Sequence, residues 1–91
     1  MKVCVYAICK NEIQFIERWL ESLKDADYIA VMDTGSTDGT YEKFQELQKT
    51  QYPQLIIHQE IIEPWRFDTA RNASMKYIPT DADICAVADL D

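Results

Sequence analysis

Two aspartates at the end of the sequence carry its clearest chemistry. Asp89 and Asp91 are separated by one residue and directly follow the apolar run 84–88. A short apolar run between acidic residues is typical of a strand buried on both faces. Open α/β sheets hold ligands at the carboxyl ends of such strands, and carboxylate oxygens suit Mg²⁺, Mn²⁺ or Ca²⁺. The pattern therefore predicts a divalent-cation site. The alternative is a strand that simply leaves the sheet through acidic residues.

A second polar group, Lys10-Asn11-Glu12, follows the apolar and largely β-branched run 3–8, which predicts a central strand. Asn11 is a candidate helix N-cap, because Gln14 lies three residues further on and could reach back to it. An amphipathic helix is expected to follow and to end near Asp25.

The segment 33–40, Asp-Thr-Gly-Ser-Thr-Asp-Gly-Thr, contains both glycines of the chain. Glycines in a polar loop after a strand indicate a loop of defined conformation, since glycine permits left-handed backbone and close approach. The alternative is a turn in which Asp38 or Thr40 caps the next helix. The loop lacks the lysine of a P-loop and the spacing of a dinucleotide-binding turn, so both of those functions are excluded.

A third polar group opens the last predicted helix, with Asp68 as its candidate cap. Arg71 lies in the first turn, where the helix dipole disfavours a cation. It is explained either by pairing with a carboxylate or an anionic ligand, or as a solvated surface arginine.

The predicted elements alternate as β-α-β-α-β-α-β, which indicates an α/β fold with a mostly parallel sheet covered on both faces. The predicted strands are 3–8, 28–32, 55–57 and 84–88. A Rossmann-like three-layer α/β/α arrangement with strand order 3-2-1-4 places the polar groups after strands 1, 2 and 4 on one rim.

Composition limits the functions that are open to the chain. Its 91 residues make one domain, and its net charge of −7 argues against nucleic-acid binding. The same charge would repel a phosphorylated ligand unless a cation lay between them. No run approaches the roughly 18 apolar residues of a membrane span.

Cys4, Cys9 and Cys85 lack metal-binding spacing and are predicted to be buried, reduced thiols of a cytoplasmic protein. Trp19 is expected in the core, and His58 is expected at a strand end without a catalytic role.

These residues together resemble the nucleotide-binding half of a family 2 glycosyltransferase of the GT-A fold. The resemblance covers the whole chain and rests on four motifs in order: Lys10-Asn11-Glu12, the segment 33–40, the helix start Phe67-Asp68-x-Ala70-Arg71-Asn72, and Asp89-Leu90-Asp91 at the position of the DxD motif. The chain departs from the commonest family pattern at Thr34, where many members carry a second aspartate, so the base that is bound stays open.

The resemblance implies a nucleotide-sugar donor, most commonly a UDP-sugar, and a Mn²⁺ or Mg²⁺ cofactor. It assigns donor binding to residues along the rim: Ile8, Lys10, Asn11, Glu12, Asp33, Thr34, Arg71 and Asp89. Within that set Asp33 would contact the base and Arg71 would lie beside the nucleotide. Asp89 would face the ribose or a metal-bound water, and Asp91 would coordinate the metal.

Family members continue beyond the metal motif with an acceptor-binding half that carries the general base. We therefore expect residues 1–91 to be the donor-binding portion of a glycosyltransferase domain, truncated at the motif and inactive alone. The acceptor is not indicated. An unprotected edge at strand 4 would favour a homodimer.

Two other functions remain open from the sequence. A haloacid-dehalogenase-type phosphatase also places an Asp-x-Asp pair after a strand, although there the motif opens the domain and Asp33 and Arg71 have no role. A non-catalytic α/β module for binding or assembly is the second alternative, since fold does not fix function. A nucleotidyltransferase is a lesser one, because its glycine-rich signature after strand 1 is absent.

Overall fold

The computed structural model describes residues 1–61, 66–88 and 90, and only the backbone of residues 67, 68 and 71. Four strands and three α-helices alternate along this part of the chain: β1 (Val3–Cys9), α1 (Ile16–Ser22), β2 (Tyr28–Asp33), α2 (Thr40–Thr50), β3 (Leu55–Gln59), α3 (Phe67–Met75) and β4 (Ile84–Val87). The sheet is parallel throughout, and its order is β3-β2-β1-β4, so the predicted α/β fold and strand order are confirmed.

The strand order determines where the helices lie. The connections through α1 and α2 step in one direction along the sheet, and the connection through α3 steps back to β4. Because such crossovers are right-handed, α3 belongs on the face opposite α1 and α2. The result is the three-layer, Rossmann-like arrangement that the sequence predicts.

The main core lies between the sheet and the first two helices. Trp19 and Leu20 of α1 and Phe44 of α2 are buried there, and the rings of Trp19 and Phe44 meet edge to face with centroids 6.2 Å apart. Central strand β2 is buried on both faces from Ile29 to Asp33. The placement of Trp19 in the core is therefore confirmed.

Strand β4 differs from its prediction. The apolar run at 84–88 was expected to be buried on both faces, yet all four residues of β4 are exposed, with Ile84 at 45% and Val87 at 50%, and Ala88 is half-buried. The strand lies at the edge of the described sheet and is hydrogen-bonded only to β1 there. An apolar run indicates a strand, but it does not indicate what covers the strand. For the same reason Cys85 is exposed, whereas Cys4 and Cys9 are buried as expected; all three are free thiols.

The helix ends also differ in detail. The first helix does not begin with Asn11 as its cap: a 3₁₀ turn at Ile13–Phe15 precedes α1, and α1 ends at Ser22 before Asp25. Asp68 does not cap α3, because the helix begins one residue earlier and Arg66 takes the cap position with extended backbone. No helix in the described part of the chain has the length and apolarity needed to cross a membrane.

Candidate functional site

The carboxyl ends of β1, β2 and β4 lie side by side, and we call this side of the sheet the carboxyl edge. Cys9 pairs in register with Asp33, and Tyr6 pairs with Val87. The β1–β4 pairing continues to Ala88, whose N–H donates to the carbonyl of Tyr6 at 3.2 Å. The chain segments that follow these three strands therefore all begin at the same edge.

Asn11 joins the first segment to the second. Its backbone N–H donates to Oγ of Ser36 at 2.8 Å, and its side-chain Oδ1 accepts from the N–H of Thr37 at 2.7 Å. Asn11 has a φ of 54°, a left-handed conformation that asparagine tolerates better than most residues. Its side chain thus fixes the loop after β2 against the loop after β1 and does not cap the helix.

The loop after β2 holds the start of two helices through Asp38. Its Oδ1 accepts from the N–H of Thr40 at 3.0 Å, and its Oδ2 accepts from the N–H of Ile13 at 3.3 Å. The hydroxyl of Thr40 in turn accepts from the N–H of Glu12 at 3.0 Å. The expected cap is not formed, because Gly39 occupies the cap position of α2 and Thr40 is its first residue. Asp38 instead accepts from the first N–H of α2, and the same carboxylate also stabilises the turn that precedes α1.

Both glycines of this loop are required by its backbone. Gly35 and Gly39 have φ values of 117° and 96°, which side-chain-bearing residues rarely adopt. A Cβ at Gly35 would also lie 2.9 Å from Cδ1 of Ile61. The loop therefore has the defined conformation that its glycines predict.

Asp33 is completely buried at the base of this loop. The N–H of Ser36 lies 3.3 and 3.2 Å from its two oxygens, and the hydroxyl of Ser36 donates to Oδ1. Nε2 of Gln59 donates to Oδ2 at 2.8 Å. The carboxylate thereby ties the loop after β2 to the end of β3.

The predicted donor-binding residues Thr34, Ile8, Glu12 and Lys10 differ in their exposure to solvent. Thr34 is buried, and both its N–H and its hydroxyl donate to the carbonyl of Cys9, at 3.0 and 3.2 Å. Ile8 and Glu12 are half-buried, whereas Lys10 is exposed. Of Thr34, Ile8, Glu12 and Lys10, only Lys10 is largely open to solvent.

The two buried thiols of β1 lie near its opposite ends, and both have raised pKa values. Burial raises the pKa of the Cys9 thiol far above its ordinary value, and the nearby carboxylates of Asp33 and Glu12 raise it further. Burial likewise raises the pKa of Cys4 to about 11. Both cysteines therefore stay protonated near neutral pH and cannot act as nucleophiles or metal ligands as they stand.

The remaining predicted site residues lie beyond what the structure describes. Asp89 and Asp91 fall outside the described residues, and for Arg71 only the backbone, within α3, is described. The chain just before Asp89 is well anchored, because Nε1 of Trp19 donates to the carbonyl of Ala88 at 3.2 Å and Leu90 is buried. Among the described residues no group of three or more His, Cys, Asp or Glu side chains could hold a metal ion.

Sequence reasoning missed two features at the end of β3. One is Gln59, which no motif marks and which is identified only through its register with Asp33.

The other is a cluster in which Glu60 accepts from the hydroxyl of Tyr77 at 3.0 Å and from Nζ of Lys76 at 3.0 and 3.2 Å. Tyr77 also stacks on His58, with ring centroids 3.8 Å apart, so His58 has a packing role in β3. The hydrogen bonds from Lys76 and Tyr77 lower the pKa of Glu60.

Comparison with known proteins identifies the family. The sequence model of "Glycosyl transferase family 2" matches residues 4–91. The chain belongs to glycosyltransferase family 2. It is 32% identical over 66 residues to the lipopolysaccharide core biosynthesis glycosyltransferase LpsC of Rhizobium meliloti (strain 1021). That match covers 72% of this chain and 23% of LpsC, so the chain spans about a quarter of its relative's length. Family 2 membership favours the transferase interpretation over the haloacid-dehalogenase alternative.

Proposed function

We propose that the protein transfers a sugar from a nucleoside diphosphate donor, with a UDP-sugar as the expected one, to an acceptor in a metal-dependent reaction. In this proposal the present chain supplies the donor-binding portion. The observation that carries it is the family match over residues 4–91 on a sheet whose segments after β1, β2 and β4 share one edge.

Different residues of this chain would bind different parts of the donor. Ile8, Lys10 and Glu12 would lie near the base and ribose, on a segment that Asn11 holds against the loop after β2. Asp33 and Thr34 form the buried floor beneath that segment and would set the base-binding side of the site. Arg71 would lie beside the nucleotide, where its guanidinium suits an anion.

A divalent cation fits this chain on chemical grounds. The predicted ligands Asp89 and Asp91 offer hard carboxylate oxygens, which suit Mn²⁺ or Mg²⁺. With a net charge of −7, the protein also needs a counter-charge before a diphosphate can approach. When bound, the ion supplies Lewis acidity to the departing diphosphate.

The test is a thermal-shift screen of nucleotides and nucleotide sugars with and without Mn²⁺, followed by titration calorimetry of the Asp91→Ala variant. A ligand that binds the folded state raises the melting temperature, so the screen reports which base is bound. We expect metal-dependent stabilisation by UDP or a UDP-sugar, and its loss in Asp91→Ala because a ligand of the cation has been removed.

Asp25→Ala is the matched control. Asp25 is an exposed aspartate in the turn that precedes β2, at the end of the sheet opposite the carboxyl edge. This variant should bind as the unaltered protein does. Unchanged nucleotide affinity in Asp91→Ala would count against the metal site, and failure of the unaltered protein to bind any nucleotide would favour a non-catalytic binding module.

A further inference from the structure

Gln59 is the exposed partner of a buried carboxylate at the carboxyl edge. It is the last residue of β3 and pairs in register with Asp33, the last residue of β2. Its Nε2 donates to Oδ2 of Asp33 at 2.8 Å. Asp33 has no solvent exposure, whereas Gln59 is exposed. A molecule that approaches this position from solvent therefore meets the amide of Gln59 before it meets the carboxylate.

Asp33 also determines which way this amide faces. The amide turns its NH₂ group toward Asp33, because Nε2 donates to the carboxylate oxygen Oδ2. Its carbonyl oxygen Oε1 then points away from Asp33. The carboxylate is itself held by Ser36, whose N–H donates to both of its oxygens and whose hydroxyl donates to Oδ1. The loop after β2 thus fixes Asp33, and Asp33 fixes Gln59.

We infer that Gln59 determines specificity for the donor's base, and that Asp33 is the positioning residue that acts through it. The inference rests on the proposed function. An amide of fixed orientation offers one acceptor and one donor side by side, which match the N3–H and the neighbouring carbonyl of uracil. In this arrangement the expected effect of Asp33 on base binding is indirect and passes through Gln59.

The experiment compares Gln59→Leu and Gln59→Glu with the control Gln54→Leu. Leucine removes both hydrogen-bonding groups, and glutamate places a second carboxylate against Asp33. Gln54 is the same residue type at the other end of β3, where its Nε2 donates to the carbonyl of Lys24 at 3.2 Å. Calorimetry with UDP, CDP, GDP and pyrophosphate, each with Mn²⁺, separates the base from the diphosphate.

Both Gln59 variants should bind UDP roughly tenfold more weakly, as expected for a lost ligand hydrogen bond. Their preference among the three nucleotides should shrink, while their affinity for pyrophosphate stays unchanged. Gln54→Leu should match the unaltered protein in every titration. Because Gln59 is exposed, its variants are expected to fold, and their melting temperatures verify this.

Each contrary result has a distinct meaning. An unchanged UDP affinity and base preference in both Gln59 variants overturns the inference and leaves the proposed function intact. An equal loss of pyrophosphate affinity also overturns it, because Gln59 would then act on the whole site and not on the base. A folded, unaltered protein that binds none of the nucleotides overturns the proposed function and this inference with it.

Discussion

At the scale of single residues, the side chain and backbone of Asn11 hold the loop after β1 against the loop after β2. Asn11 has the residue type of a helix cap, yet its side chain accepts from Thr37 in another loop. The local sequence does not indicate this hydrogen bond, because Thr37 lies 26 positions away along the chain. The Oδ1 of Asn11 that could cap the helix accepts from Thr37 instead. Gln59 was missed for the same reason, since its significance comes from the strand register alone.

Replacement of Asn11 tests its role as a link between the two loops. Asn11→Ala removes the acceptor for Thr37 and places a Cβ-bearing residue without a local hydrogen bond at positive φ. We expect the free energy of unfolding to fall by about 1–2 kcal/mol. Asn11→Gly, which accepts the backbone conformation, should cost about half as much. Urea unfolding provides the measurement.

Asn72→Ala is the control for this pair, because Asn72 is exposed within α3 and alanine favours helix there. Its free energy of unfolding should be unchanged or slightly higher. A loss in Asn11→Ala no larger than that in Asn72→Ala would contradict the linking role.

At the scale of helices and strands, periodicity predicted the order of elements well because each element's local pattern is strong. Periodicity does not predict burial where burial depends on neighbouring elements. The run 84–88 has the pattern of a buried strand, but β4 lies at the edge of the described sheet and is exposed. Helix α1 is shorter than its apolar pattern predicts. Asp38 in the loop after β2 accepts from the N–H of Ile13, and a 3₁₀ turn at Ile13–Phe15 precedes the helix.

The starts of two helices depend on the ionised form of Asp38, and this predicts a pH dependence. Its hydrogen bond from the Thr40 hydroxyl, and those from backbone N–H groups, lower its pKa below the ordinary 3.8. A lowered pKa in the folded state means that the ionised carboxylate stabilises the fold above the ordinary value. That contribution is lost as the pH falls through the lower folded value.

Asp38→Asn removes this titration. The unaltered protein should be more stable than the variant near neutral pH, and the difference in stability should narrow as the pH falls below 3.8. Urea unfolding of both proteins across this range measures the difference directly. A gap that stays constant with pH would show that ionised Asp38 contributes nothing specific.

At the scale of the whole molecule, β4 forms one side of the sheet, and among the described strands only β1 pairs with it. Strand β4 is hydrogen-bonded to β1 on one side, and its apolar side chains are exposed. An exposed apolar strand at an edge is a template for pairing with another strand. We expect two copies of the chain to associate through it, as the sequence had suggested.

Light scattering over a range of protein concentrations tests this association. The unaltered protein should approach the mass of a dimer as concentration rises, and Val87→Lys should remain monomeric because the lysine places a charge on the pairing strand. Met75→Lys is the control, since Met75 is equally exposed, at 50%, but lies on α3. A monomer at every concentration would rule the dimer out.

The indole of Trp19 connects two properties that are usually measured apart. Its ring packs against Phe44 in the core, and its N–H holds the carbonyl of Ala88, the residue before Asp89. Under the proposed function, replacement of this tryptophan would lower the melting temperature and weaken metal-dependent nucleotide binding together. Neither measurement alone would show that one side chain stabilises both the core and the end of β4.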